Sequence, residues 1–348
     1  NQSTSVVTFN SSETSSAQLI GLTVQNGNAD DGGGIYCGNS CTPTLDHLYV
    51  VNNTANQFGG GIYLDVGADA TITYSLISNN QASGSNGNGG GIGGTGLFLN
   101  ATIQNCTIVG NSAWESGSGI YIQNTNPSST NVQIINTILR NEQLLASWLN
   151  YYEEISSQQN GSTQQDDANF TVSYSLVREG WSGTGILDVD PEFVDIDNNN
   201  YHLQNWSRLI GAGTITDNMA DTDMDGKLRI NPVGSNPDMG AYENQYGTPQ
   251  NASPVISSIS DITINEDESS TVTLNATDVE NDAITYSAKS DTSAVNISVS
   301  SNLVTITPSA NWNGVTKITA YASDGYSKDS TSFNLTVKAL NDLPSAFE

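Results

Sequence analysis

Gly32-Gly33-Gly34-Ile35-Tyr36 recurs as Gly59-Gly60-Gly61-Ile62-Tyr63, as Gly89-Gly90-Gly91-Ile92, and as Gly117-Ser118-Gly119-Ile120-Tyr121. From Gly34 to Gly61, Gly91 and Gly119 the steps are 27, 30 and 28 residues. A second element keeps the same spacing between the glycine blocks: Leu22-Thr23-Val24, Leu48-Tyr49-Val50, Leu76-Ile77, Thr107-Ile108-Val109 and Thr137-Ile138-Leu139. Each is followed by an asparagine: Asn26, Asn52, Asn80, Asn111 and Asn141. Short β-branched runs, a period in the high twenties and turns of Gly and Asn describe one coil of a parallel β-helix. Coils of this kind stack at roughly 4.8 Å. Glycines suit the corners because they accept positive φ and close approach. The recurrent asparagines are expected to stack as an internal amide ladder. A propeller is the structural rival, but its blades run to about 40 residues or more, too long for this period.

Composition narrows the setting. Nine Lys plus Arg stand against 36 Asp plus Glu in 348 residues, a net charge of -27. Nucleic acid and anionic membrane surfaces are excluded as partners, since both require clustered basic residues. With 36% hydrophobic and only 13% charged residues, the polar remainder is mainly Asn, Ser, Thr and Gly, which points to an extracellular or cell-surface location. There is no apolar run near 18 residues, so no transmembrane helix is expected. Asn1-Gln2-Ser3 lacks an initiator Met and a basic-then-apolar signal, as in a mature piece or a fragment. Cys37 and Cys41 bracket a short loop and are a candidate disulfide, whereas Cys106 lies in an apolar alternation as a buried thiol. N-x-S/T sequons are frequent, from Asn10 to Asn334, in a chain whose composition produces many by chance.

The GGGIY blocks and I-x-x-N elements resemble the right-handed β-helix repeats of secreted bacterial surface proteins, and are similar to those of polymorphic outer-membrane proteins, although the Phe of the FxxN motif is missing. Tyr174-Ser175-Leu176-Val177, Asp190-Pro191-Glu192-Phe193-Val194-Asp195, Tyr201-His202-Leu203-Gln204 and Asp238-Met239-Gly240-Ala241-Tyr242-Glu243 resemble the closing segment of the β-helix group labelled choice-of-anchor Q. That resemblance implies export and anchoring but no common reaction. Between Asn141 and Phe170 the repeat breaks down, which predicts an insertion from a coil corner, with room for a short helix. Its Trp148, Tyr151 and Tyr152 suit stacking on sugar rings, with cover of the β-helix flank as the favoured role.

A turn-rich stretch from Gly247 to Pro254 reads as a linker. Beyond it, seven alternating runs begin at Ile259, Thr271, Ile284, Val295, Leu303, Lys317 and Ser332, the pattern of a β-sandwich. Asn265-Glu266-Asp267-Glu268, Ala276-Thr277-Asp278-Val279-Glu280-Asn281-Asp282, Asn311-Trp312-Asn313-Gly314 and Ala322-Ser323-Asp324-Gly325 resemble the tandem Ig-like or cadherin-like repeats of bacterial surface proteins. In such arrays Asn-Asp-x-Pro joins repeats, and Asn341-Asp342-Leu343-Pro344 implies that the parent polypeptide or its assembly continues. The expected architecture is all-β: a right-handed parallel β-helix over 1–247, with an insertion near 142–170 and a closing segment at 171–247, then an Ig-like sandwich over 248–348.

Many β-helices are pectate lyases or polygalacturonases. A lyase needs a Lys or Arg base, yet residues 1–226 contain no Lys, and their arginines are Arg140, Arg178 and Arg208. Asp30 and Asp31 form the adjacent acidic pair of the repeats, but sit in a glycine turn with no equivalent in neighbouring coils. They read as turn formers rather than a hydrolase pair. The sequence therefore names no catalytic residue. Calcium is the candidate cofactor. Asp221-Thr222-Asp223-Met224-Asp225-Gly226 repeats the D-x-D-x-D-G opening of a calcium loop, although Pro232 stands where an EF-hand places its Glu. Asp188, Asp190, Asp195 and Asp197 form a weaker set, at the alternating spacing of one strand side. Glu266, Glu280 and Asp282 form another, similar to cadherin-like linker acids.

The expected function is that of a non-catalytic extracellular surface protein, structural or adhesive. Its expected partners are further copies of itself or other surface proteins. Both ends of a β-helix present unpaired strand edges. Residues 1–10 read as a strand without a preceding cap, able to receive a neighbouring chain and so to build a head-to-tail filament or sheath. The alternative is a polysaccharide-binding or polysaccharide-degrading, pectate-lyase-like β-helix with glycans as partners.

Overall fold

The computed structural model describes residues 4–95, 98–124, 130–141, 154–159, 162–164 and 170–341. Within it the chain forms two compact units, Asn1–Pro249 and Gln250–Glu348. Trp148, Tyr151, Tyr152 and any short helix of the insertion lie outside the described residues.

The first unit is a parallel β-helix. One sheet stacks Val7–Phe9, Ile35–Cys37, Ile62–Leu64, Ile92–Thr95, Ile120–Asn124 and Ile155–Gln159 in parallel, and Ser162–Gln164 adds an antiparallel strand. The second sheet runs from Gln18–Ile20 to Phe170–Ser173, the third from Thr23–Gln25 to Leu176–Val177, and a fourth, short one from Asn28–Ala29 to Ser112–Ala113. Register follows the repeat. Ile35, Ile62, Ile92, Ile120 and Ile155 align. Leu45, Ile72, Ile103, Ile134 and Val172 align in the second sheet. Val24, Val50, Ile77, Ile108, Leu139 and Val177 align in the third. These three aliphatic ladders fill the interior, so each added coil buries a further set of side chains at roughly 25 cal/mol per Å² of apolar surface. The first glycine of each block, Gly32, Gly59, Gly89 and Gly117, has φ between +61° and +70° at the corner.

One substitution in the repeat has a visible cause. Tyr36, Tyr63 and Tyr121 share a register position that Gly93 occupies in the intervening coil. Phe58 fills the gap, stacking on Tyr121 at 5.8 Å and on Tyr63 at 6.3 Å. A Cβ on Gly93 would fall 2.3 Å from the Gly59 nitrogen, so a side chain here is excluded.

The amide ladder forms on Asn80, Asn111 and Asn141 as expected, and in the first two coils it lies one residue beyond Asn26 and Asn52. Asn26 and Asn52 turn the corner with φ of 60° and 56°. The next position carries the ladder. Gly27 N–H donates to Asn53 Oδ1 at 2.9 Å, and Asn53 Nδ2 to Asn80 Oδ1 at 2.9 Å. Asn80 Nδ2 donates to Asn111 Oδ1 at 2.9 Å, and Asn111 Nδ2 to Asn141 Oδ1 at 2.8 Å. Asn141 Nδ2 then donates to Glu154 Oε2 at 2.6 Å. Every amide points the same way, and the run ends on a buried carboxylate. Burial raises the Glu154 pKa, while hydrogen bonds from Asn141 and the charge of Arg178 oppose that rise.

The disulfide expectation is corrected. Cys37 and Cys41 are free thiols. Cys37 is in register between Phe9 and Leu64 in the interior, whereas the Cys41 thiol donates to Glu13 Oε2 at 3.0 Å, so the two sulfurs serve different partners. The closing segment continues past Val177. It returns along the outward face of the third sheet, because that face carries Leu76, Val109, Ile138 and Leu176, which pack against Tyr201, Leu203, Leu209, Ile210, Met239 and Tyr242. Its contacts reach back to Tyr74, whose hydroxyl accepts from Ala220 N–H at 2.6 Å.

The second unit is a β-sandwich. Ile262–Asn265, Lys328–Lys338, Gly314–Ser323 and Thr285–Ser290 form one sheet, and Ser270–Thr273, Leu303–Pro308 and Val295–Ser300 the other. Each of the seven alternating runs contains a strand. Val304, Ile306, Ile318, Phe333 and Leu335 lie between the sheets.

Candidate functional site

The returning segment 190–247 is organised around a buried polar centre that meets the β-helix at Tyr74. The Arg229 side chain is fully buried, 3.4 Å from Glu243 Oε2, and its guanidinium lies 5.3 Å from the Tyr74 ring centre. Glu243 Oε1 accepts from Ile230 and Asn231 N–H at 3.1 and 3.2 Å, and Oε2 accepts from Asp238 N–H at 3.1 Å. Asp238 accepts from Gly211 N–H at 2.8 Å and Asn244 N–H at 2.7 Å. Burial raises the pKa of Asp238, as does the Glu243 charge. Burial raises Glu243 as well, against the pull of Arg229.

Beside this centre opens a cavity of about 440 Å³, whose lining includes His202, Asn205, Lys227, Asn231, Tyr242 and Gln245. His202 packs on Tyr242 with ring centres 4.2 Å apart. Asp225 Oδ2 accepts from Lys227 Nζ at 2.8 Å and faces His202 Nε2 at 2.7 Å. Burial tends to raise the Asp225 carboxyl, but these two partners hold it below its usual range. His202 Nδ1 faces Asn200 Oδ1 at 2.6 Å, so both ring nitrogens are engaged.

The acidic residues read from the sequence fall as follows. Asp223 is buried; its Oδ1 accepts from Asp225 and Lys227 N–H, each at 2.9 Å, and its Oδ2 from Glu243 N–H at 2.8 Å. Asp225 turns to the cavity pair, and Asp221 is exposed. Backbone donors close the turn at this D-x-D-x-D-G stretch. Asp190 pairs with Arg140 at 2.9 Å, Asp195 caps the short 3-10 turn Ile196–Asn198, and Asp188 and Asp197 are exposed. These four do not share one strand side, because the chain bends at Val189, only Phe193–Asp195 is a strand, and the chain enters the turn after Asp195. Glu266 accepts from Leu340 N–H, whereas Glu280 accepts from Ala252 N–H at 2.9 Å, so the two serve different ends of the sandwich chain. Asp278 organises the Glu280 turn, its Oδ1 accepting from Glu280 and Asp282 N–H at 3.1 and 3.0 Å. Among the described residues no three His, Cys, Asp or Glu side chains gather as a metal-ligating group. Asp31 Oδ1 accepts from Phe58 N–H at 3.0 Å, in keeping with a turn former.

Sequence reading did not foresee the cavity, which joins residues 202–205 to residues 227–245. Its available signal was His202 within the closing motif.

Residues 251–338 match the bacterial Ig domain family. The sandwich is a bacterial Ig domain. A bacterial Ig domain combined with a parallel β-helix fits a surface or extracellular protein. No curated protein matches the chain. Among solved structures, a chimeric titin Z1Z2 functionalized with an exogenous decorin peptide is 17% identical, covering 26% of this chain and 99% of its own, with a TM-score of 0.22. The endo-fucoidan hydrolase MfFcnA4 of glycoside hydrolase family 107 is 22% identical over 27% of this chain, with a TM-score of 0.22; the match spans 15% of that enzyme's length. Titin domain M7 is 19% identical over 26% of this chain and 99% of its own, with a TM-score of 0.20. Among the described residues no helix is long and apolar enough to cross a membrane.

Proposed function

We propose that the chain is a non-catalytic extracellular surface protein in which the β-helix is a rigid structural or adhesive scaffold for the bacterial Ig domain. The observation that carries this reading is that four described carboxylates of the β-helix are engaged in structural bonds. Asp31 holds Phe58 N–H, Asp65 accepts from the Tyr36 hydroxyl at 3.0 Å, Glu154 ends the ladder and Asp190 pairs with Arg140. Glycoside cleavage needs two carboxylates, or a carboxylate and a base, free to meet substrate. Incubation with polygalacturonate and other acidic polysaccharides is expected to release neither reducing nor unsaturated ends. Release of either overturns the reading.

Head-to-tail assembly is a second reading, favoured by the first coil. Val7–Phe9, Gln18–Ile20 and Thr23–Gln25 are each paired on one side, and Ile20 and Leu22 at this end are about half exposed, at 50% and 52%. Among the described residues these strand edges, with apolar side chains beside them, suit the stacking of a further parallel coil. Calcium belongs to this reading at the Asp278–Asp282 turn, where Asp278 Oδ2 and Glu280 Oε2 are buried without hydrogen-bond partners. Carboxylate, carbonyl and water oxygens together suit that cation. Electron microscopy in millimolar calcium is expected to reveal fibres that come apart on chelation and are lost in the Ile20→Lys, Leu22→Lys double variant. Isolated rods under every condition, or fibres indifferent to the double variant, overturn assembly; fibres that survive chelation overturn the calcium joint.

A further inference from the structure

We infer that the cavity beside Arg229 binds a neutral saccharide, one or two rings at the end of a glycan, without turning it over. The inference deepens the adhesive reading and rests on it only for biological setting. At about 440 Å³ the cavity lies within the usual range for small-ligand sites, about 300–1,000 Å³. Its chemistry selects the ligand class. Asn231 and Gln245 present side-chain amides that make no hydrogen bond among the described residues, and Asn205 adds a third amide to the wall. An amide offers donors and an acceptor together, which matches a hydroxyl that must do both. His202, packed on the buried Tyr242 ring at 4.2 Å, adds a partly exposed imidazole to the wall.

Charge decides against the anionic alternatives. Lys227 and His202 both converge on Asp225, so the cavity's cationic groups share a carboxylate rather than facing a ligand alone. The net charge of -27 further disfavours a free polyanion. Turnover is disfavoured by the same geometry. His202 has acceptors at both ring nitrogens, and Glu243, the carboxylate of the lining, is held by three backbone N–H groups and Arg229. Leu203 and Tyr242 of the lining belong to the apolar cluster packed on the third sheet, so little ordering of the wall is required on binding.

The test is saturation-transfer NMR on the full chain with methyl glycosides of galactose, mannose and N-acetylglucosamine, and with galacturonate. A neutral glycoside is expected to bind with Kd of about 1 mM or tighter. The exposed-site variant Gln245→Ala, and separately Asn231→Ala, should each weaken it at least about tenfold while the melting temperature stays at that of the parent. Absence of transfer from all three neutral sugars, binding of galacturonate alone, or binding unchanged in both variants overturns the proposal. New reducing ends overturn its binding-only part and also the non-catalytic scaffold. Failure to bind, by contrast, leaves the scaffold to be judged by the polysaccharide and microscopy results.

Discussion

Asn111→Ala is expected to lower the stability of the β-helix by about 3–5 kcal/mol, because each buried polar group left unpaired costs about 1–3 kcal/mol. The Asn111 side chain accepts from Asn80 N–H and Nδ2, each at 2.9 Å, and donates to Ile77 C=O at 2.9 Å and Asn141 Oδ1 at 2.8 Å. Asn80 Nδ2 retains Val50 C=O, and Asn141 Oδ1 retains Asn111 N–H. Asn80 N–H loses its acceptor and Ile77 C=O loses this donor, both at fully buried residues. Asn52→Gly is the comparison. Asn52 is exposed at φ of 56°, a conformation glycine adopts freely, so its change should stay within about 0.5 kcal/mol. Urea unfolding followed by circular dichroism measures both. Equal shifts in the two variants would remove the ladder as a source of stability.

That pair also marks how far the sequence could be read. The period and the aliphatic positions were legible, since stacking identical coils forces Ile35, Ile62, Ile92 and Ile120 onto one register. The asparagine pattern merged two neighbouring positions with different duties, a left-handed corner at Asn26 and Asn52 and a buried ladder from Asn53 onward. Adjacent asparagines look alike in sequence; only backbone conformation separates them. The Asp221–Asp225 spacing likewise fits a cation loop or a turn, and which carboxylate oxygen meets a backbone N–H is decided by Glu243, 20 residues away from Asp223. The return of residues 190–247 along the third sheet was latent in the doubly apolar strands Leu76–Ser78 and Thr107–Val109, whose residues are buried on both faces. The cavity was illegible because its walls come from separate stretches that this return brings together.

Arg229→Met should be the most damaging single change in the returning segment, lowering stability at neutral pH by about 3–5 kcal/mol, the usual effect of breaking a buried ion pair from one side. Methionine keeps much of the volume over Tyr74 but leaves Glu243 and Asp238 buried without their cation. The pH dependence identifies the cause. Both carboxyls have folded pKa values raised above the ordinary 3.8 and 4.5, so the folded state keeps protons that the unfolded chain releases. Their contribution to stability is fully present below about pH 4 and is lost as pH rises through the folded values. Removing Arg229 raises those folded values further and enlarges that loss. The gap in melting temperature between parent and variant should therefore be small near pH 4 and widen steadily toward pH 8. His47, stacked on the same Tyr74 ring, works in the same sense: its hydrogen bond to Asp46 raises its pKa, burial and the Arg229 charge oppose that rise, and removing Arg229 lets it rise further. Comparing parent with variant at each pH cancels the exposed carboxylates common to both. A gap independent of pH would mean that Arg229 acts through packing on Tyr74 rather than through charge.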